Sequence, residues 1–362
     1  MWNRSQSVDL KTIAAQRICI IKPSALGDIV QTLPLLPALH KRFPDAEISW
    51  VVNGQLADIL NGHPLLHRVL TYDRRGGIRS GLNLLRELKQ ANFDLVFDLQ
   101  GLLRSAVMTK ATRAKCCVGL ETAREGSHLV CDVVVPNTGR KVPAHARYWE
   151  VARAIGMGDF QPVTTVPINK ADHTWADALL SDLPQPVVAI HPGAQWRTKR
   201  WPVGKFAAVA SKMYRAYGYA VIILGSQQEA PLTVQVENSI KQLAPSAVVR
   251  NLTGKTTLKQ LAALLQRVDM LLSNDSGPMH LAAGLNTPVV GIFTCTSAHR
   301  SGPAGDLHEL ASCQLNCAAS YKKRCPHAGK NYMACMEDLQ QEQVWRAVVR
   351  MIERIPAKSK AA

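Results

Sequence analysis

The stretch RICIIKPSALGDIVQTLPLLPALHKRFPDAEISWVV, residues 17–52, decides the fold. RICIIK at 17–22 and EISWVV at 47–52 are short apolar runs rich in β-branched residues, the mark of buried strands. Between them, apolar residues in IVQTLPLLPALHKRF recur at helical spacing. Strand, helix and strand in this order make a βαβ unit, whose right-handed crossover sets the strands parallel.

The pattern repeats outward. LNLLRELKQA at 82–91 reads as a helix and FDLVFDLQG at 93–101 as the strand after it. A second series follows a polar stretch at about 160–185, with a linker expected near 165–180: PVVAIH (186–191), KFAAVASKMYRAY (205–217), AVIILGS (220–226), TLKQLAALLQRV (257–268), DMLLSND, MHLAAGLN and PVVGIF. At roughly 100–200 residues per domain, 362 residues fit two doubly wound α/β domains, read as 1–168 and 169–362. No fixed-period repeat is present, and the tail AKSKAA is expected to fray.

Composition narrows the function. The 47% hydrophobic and 19% charged residues are those of a globular chain rather than a disordered or fibrous one. Lys and Arg number 43 against 27 Asp and Glu, a formal charge of +16, which favours an anionic partner. With 6% aromatic residues and no nucleic-acid module, no nucleic-acid partner is expected. The opening MWNRSQSVDLKTIAAQ lacks the apolar core of a signal peptide, and no run of about 18 apolar residues could span a bilayer. The reading is a cytoplasmic protein whose membrane contact, if any, is peripheral. Nine cysteines, one of them inside RICIIK, point to reduced thiols.

In open α/β sheets ligands bind outside the carboxyl ends of the strands, so polar residues just after strands are the candidates. SNDSGPMH at 273–280 places Asp275, Ser276, Gly277 and Pro278 where a helix begins; its unpaired N–H groups and dipole can hold a phosphate, and the ordinary alternative is an N-cap. HPGAQWRTKRWP at 191–202 contributes Arg197 and Lys199, a phosphate's counter-charge or a solvated basic loop. Glu229 of LGSQQE suits ribose hydroxyls or a helix start. Asp28 of KPSALGD suits a general base or an N-cap. TGKTT at 253–257 is no P-loop, because Val249 stands where the first glycine is required. A dinucleotide fingerprint is absent as well, with Gly27 alone in the first junction.

Together KPSALGDIVQTLPLLPAL, FDLQGLLRSAVMTKAT, KRWP and NDSGPMHLAAGLNTPVVGIF resemble glycosyltransferase family 9, the lipopolysaccharide heptosyltransferases, over about residues 17–350. GLETAREGSHLV at 119–130 is most similar to the heptosyltransferase I branch. The resemblance implies a GT-B fold, two Rossmann-like domains with a cleft between them, and metal-independent, inverting transfer from ADP-heptose to a Kdo-containing lipid A or inner-core acceptor at the inner face of the inner membrane, with no cofactor. It implies Asp28 as the base, Lys199 and the backbone of Ser276 and Gly277 on the diphosphate, Asp275 on heptose hydroxyls, Glu229 on the ribose, and His280 closing the donor pocket. On the acceptor side the expected residues are Ser24, Gly27, Arg104, Arg124 and His145, with Arg74 and Arg75 as further cations for its carboxylates and phosphates. Other readings are a GT-B enzyme using another nucleotide sugar or adding a later core sugar, and a non-catalytic binder of anionic glycolipid.

Cys313, Cys317, Cys325 and Cys335 depart from the usual heptosyltransferase I pattern. Their spacing matches no familiar zinc motif, so a structural metal site, disulfides and plain thiols all stay open.

Overall fold

The computed structural model describes residues 8–73, 76–159 and 161–355; Arg74, Arg75 and the AKSKAA tail lie outside them. The chain divides into two compact units, Met1–Pro167 and Ile168–Ala362. The first is built on strands β1 Arg17–Ile21, β2 Glu47–Asn53, β3 Arg68–Tyr72, β4 Leu95–Asp98, β5 Cys116–Leu120 and β6 Val133–Val135. The second has β7 Val187–His191, β8 Ala220–Ile223, β9 Val249–Asn251, β10 Met270–Asn274, β11 Val289–Phe293 and β12 His308–Ser312.

The two sheets share one topology. The first runs β3-β2-β1-β4-β5-β6 and the second β12-β11-β10-β7-β8-β9, which is the same order met from the other edge. All pairings are parallel, from Arg17 opposite Glu47 in β1–β2 to Val289 opposite His308 in β11–β12. Central strands such as β4, β7 and β10 are buried at every position, as helices on both faces require. The strand order reverses between β1 and β4 in one sheet and between β7 and β10 in the other, and the crevice at such a reversal receives the ligand.

Two local expectations are corrected. The apolar run after β1 forms two helices, Leu26–Thr32 and Leu35–Arg42. Pro34 lies between them and can neither donate to Val30 nor clear its carbonyl. The stretch read as a linker is largely the helix Lys170–Leu180. There Asn169 accepts from the Asp172 N–H at 2.8 Å and Asp172 accepts from the Asn169 N–H at 3.4 Å, a capping box hidden in a polar sequence.

TGKTT is a turn feeding a helix. Gly254 adopts φ +69°, and Thr257 caps Leu258–Leu265 by accepting from the Gln260 N–H at 3.1 Å. Among the described residues no helix is long and apolar enough to cross a membrane.

Candidate active site

In the first unit the carboxyl ends of β1 and β4 build one polar cluster. Lys22 directly follows β1, and its ammonium is buried. It donates to the Leu99 carbonyl at 3.1 Å and lies 3.8 Å from Asp28 Oδ2 and 5.3 Å from the centre of the Tyr148 ring. Burial pulls the pKa of Lys22 down, but the Asp28 carboxylate and Tyr148 outweigh it and leave the pKa above its ordinary value.

Asp28 is the third residue of the helix Leu26–Thr32 rather than its N-cap. Its Oδ2 accepts from the Ala25 N–H at 3.1 Å, and its Oδ1 accepts from the Tyr148 hydroxyl at 3.2 Å. The side chain keeps 38% exposure, so it can still meet a substrate. Tyr148 comes from the helix Ala144–Ala154. Burial, then the Asp28 charge, push its pKa up to about 12, which keeps the phenol neutral and donating.

Asp98, the last residue of β4, is a buried carboxylate that organises the next loop. It accepts from the N–H groups of Gln100 and Gly101, each at 3.0 Å, and from Ser105 Oγ at 2.9 Å. Burial raises its pKa despite those donors and Lys22. The loop so held presents Gln100 Oε1 to the Ser24 N–H at 3.3 Å and an Arg104 Nη2 that donates to Ser24 Oγ at 3.1 Å.

The expected acceptor residues therefore divide. Ser24 and Arg104 share a hydrogen bond, and Gly27 is buried inside the helix that carries Asp28. Arg124 has an exposed side chain, and its N–H donates to the Gly101 carbonyl at 2.9 Å. His145 stands one turn before Trp149 on the Tyr148 helix, their rings 4.8 Å apart.

In the second unit the ends of β7, β8 and β10 converge. Lys199 Nζ pairs with Asp275 Oδ2 at 2.7 Å. The same oxygen accepts from Thr296 Oγ1 at 2.6 Å, and Asp275 is buried. Two residues sequence reasoning assigned to different parts of a ligand are thus each other's partners here. The ammonium also lies 4.8 Å from the centre of the Trp196 ring.

Ser276 occupies the N-cap position of the helix Gly277–Gly284, but its side chain does not cap it. The hydroxyl instead lies 3.1 Å from both His191 Nδ1 and Ser273 Oγ. At the carboxyl edge of β10 the first turn of this helix has no side-chain cap, the arrangement that suits an anion. Asn274 fixes the junction, donating to the Pro192 carbonyl at 2.7 Å and accepting from the Trp201 N–H at 3.2 Å.

Glu229 is tied to the same cluster. Its Oε2 accepts from both the N–H and the hydroxyl of Ser226 at 2.8 Å and lies 3.7 Å from His191 Nε2. Burial would raise its pKa, but His191 and Ser226 hold it down at about 2. A Cβ at Gly193 would collide with this carboxylate, so the glycine of HPGAQW makes room for Glu229. His280 lies within the helix Gly277–Gly284. It adds to burial in keeping His308 of β12 below the ordinary imidazole range.

Sequence reasoning missed Lys22, Asp98, Tyr148, His191, Gly193 and Thr296. Lys22, Asp98, His191 and Gly193 lie inside motifs already quoted. Tyr148 and Thr296 carry no local signal, because their partners are distant in the chain.

The cysteine set also changes. All nine cysteines are free thiols. Cys313 packs in the core of the second unit, where its sulfur accepts from the Leu315 N–H at 3.5 Å. A small cavity is instead lined by Cys317, Cys325 and Cys335 together with Cys295, from just beyond β11. Among the described residues no three His, Cys, Asp or Glu side chains are placed to hold a metal ion.

The family model for glycosyltransferase family 9 (heptosyltransferase) matches residues 82–331. The chain belongs to that family. It is a glycosyltransferase, with the fold expected of one. It is 28% identical over 310 residues, 84% of this chain and 86% of the relative, to the lipopolysaccharide core heptosyltransferase OpsX of Haemophilus influenzae. A family 9 glycosyl transferase from Veillonella parvula superposes with a TM-score of 0.79 at 22% identity, covering 96% of this chain and 99% of that one. The heptosyltransferase WaaC of Escherichia coli, solved with ADP, gives 0.68 at 22% identity, covering 94% and 100%. The GT-B reading of two doubly wound units is borne out. OpsX carries another name than the heptosyltransferase I branch, so these likenesses give the family and not the branch.

Proposed function

We propose that this glycosyltransferase moves heptose from ADP-L-glycero-D-manno-heptose to the Kdo/heptose inner core of lipopolysaccharide, inverting the anomeric configuration and using no metal. The observation that carries the reading is the second unit's cluster: an uncapped helix N-terminus at Ser276 beside the Lys199–Asp275 pair. Fixed cationic and dipolar groups of this kind stabilise the charge that develops on a diphosphate as it leaves. WaaC's capture with ADP supports an adenine nucleotide as the donor's carrier.

In this reading the first unit takes the acceptor and the second the donor. Asp28 removes the proton of the acceptor hydroxyl as its oxygen attacks the anomeric carbon. The bond from that carbon to the diphosphate breaks in the same displacement, and ADP departs with the electron pair. Lys199 and the N–H groups of Ser276, Gly277 and the following turn receive the phosphates. Asp275, already holding Lys199 and Thr296 through Oδ2, offers Oδ1 to heptose hydroxyls. Glu229 takes the ribose, and His280 closes the donor pocket. Ser24, Gly27, Arg104, Arg124 and His145 receive the anionic acceptor, for which the formal charge of +16 is the right sign. In this reading the enzyme acts from the cytoplasm, in peripheral contact with the inner membrane that anchors its acceptor.

The test is isothermal titration with ADP-heptose, ADP-glucose and UDP-sugars, followed by transfer to Kdo-containing lipid A precursors. The expected result is binding of ADP-heptose and product formation. Tight binding of a UDP-sugar alone would sink the donor assignment.

A further inference from the structure

Among the described residues of the first unit, most of the large apolar side chains left exposed gather on two neighbouring helices and the turn beside them, while Val8, Val134 and Val163 lie outside these elements. Ile78, 83% exposed, and Leu82 lie on the helix Gly77–Gln90; Leu103 and Val107 lie on the helix Leu103–Thr112; Leu129, 66% exposed, lies on the turn Ser127–Val130. Each helical pair is spaced i, i+4 and so shares one face. The two helices are neighbours, sending Leu84, Leu88 and Met108 into one core cluster, and the turn packs against the second of them.

Topology fixes where this face is. In a parallel sheet the helix after a strand begins at the carboxyl edge, so Ile78 after β3 and Leu103 after β4 start at the edge that carries Asp28. Leu103 is joined to the site directly: its N–H donates to Glu125 Oε2 at 3.0 Å, and the next residue is Arg104, bonded to Ser24. Charge accompanies the apolar stripe. Across the two helices Arg79, Arg86, Lys89, Arg104 and Lys110 stand against a single carboxylate, Glu87.

We infer that this face docks the enzyme on an anionic lipid bilayer. Ile78, Leu82, Leu103, Val107 and Leu129 enter the boundary between headgroups and acyl chains, and the arginines and lysines reach lipid phosphates. Apolar insertion combined with a basic rim is the chemistry of reversible interfacial binding. A second copy of the chain would bring the same cations against themselves, which disfavours self-association here. The inference rests on the proposed function only in taking the acceptor as lipid-anchored; the surface itself is argued from exposure and charge.

The test is co-sedimentation of the full chain with phosphatidylglycerol-containing vesicles and with phosphatidylcholine vesicles, without donor or acceptor. The wild type is expected to prefer the anionic vesicles and to be released by salt. The combined Ile78→Ser, Val107→Ser and Leu129→Ser variant should lose at least about tenfold in vesicle affinity, while keeping its melting temperature and its transfer to a soluble, delipidated acceptor. Equal vesicle binding by variant and wild type overturns the proposal, as does wild-type binding without preference for anionic lipid. A wild-type dimer that the variant dissolves, seen by light scattering, overturns it in favour of a second copy. Absence of transfer to the soluble acceptor by both proteins, with the vesicle difference intact, counts against the proposed function alone.

Discussion

The Tyr148 hydroxyl donates to Asp28 Oδ1 at 3.2 Å, joining two residues 120 positions apart. With Lys22 at 3.8 Å from the other oxygen, it holds the carboxylate at the carboxyl edge of β1 in one orientation. A base that must meet a hydroxyl within hydrogen-bond reach benefits from that restraint.

Asp28→Ala should lower transfer by about 10²–10⁴-fold, the range for a general base, with donor affinity by calorimetry nearly unchanged and a lowered melting temperature, because the buried Lys22 loses the carboxylate 3.8 Å away. Tyr148→Phe keeps the carboxylate and loses its restraint, so kcat should fall by about tenfold with little change in donor KM. Near-normal turnover of the alanine variant would remove Asp28 from the mechanism.

Lys199→Ala should weaken ADP binding, and by more than Thr296→Val does, because it removes a cation as well as a partner of the buried Asp275. Breaking such a pair costs about 3–5 kcal/mol when both groups are fully buried; Lys199 keeps 18% exposure, so a smaller loss of stability is expected. Lys199→Arg should not restore function, since a planar fork does not replace a point charge. Calorimetry with ADP and thermal melts of the three variants check the order.

Gly193→Ala tests a glycine whose constraint comes from a residue distant in the chain. Its Cβ would collide with the Glu229 carboxylate, so Glu229 must move from Ser226 and His191. Donor KM should rise by about tenfold or more, the equivalent of about 1.4 kcal/mol, while kcat changes less. An alanine variant with wild-type donor KM would show that Glu229 does not bind the donor.

Glu229 should also leave a mark on acid stability. Its pKa in the folded protein, about 2, lies below the ordinary 4.5, so folding favours the ionised form. That contribution is complete above pH 4.5 and is lost as the pH falls toward 2. The melting-temperature gap between wild type and Glu229→Gln should therefore be constant at neutral pH and narrow through that acid window. A gap independent of pH would mean that the carboxylate is not held by His191 and Ser226.

Much of the fold was legible because each strand is a compact apolar run and each helix has its own period. These are local properties, and they placed β1, β2, β7, β8 and β11 closely. Where reading failed, short-range chemistry overrode the apolar pattern: Pro34 divided one helix into two, and the Asn169–Asp172 box turned a polar linker into a helix.

By itself the sequence determined the βαβ alternation, the family motifs and the polar residues that follow the strands, all of which depend on neighbours a few positions apart. Only the tertiary structure decided which of those residues meet. It paired Lys199 with Asp275, placed Tyr148 and Lys22 on Asp28, set His191 between Ser276 and Glu229, and exchanged Cys313 for Cys295 in the thiol cavity. Parallel strand order brings together the ends of strands that are far apart in the chain, and no local pattern records that neighbourhood.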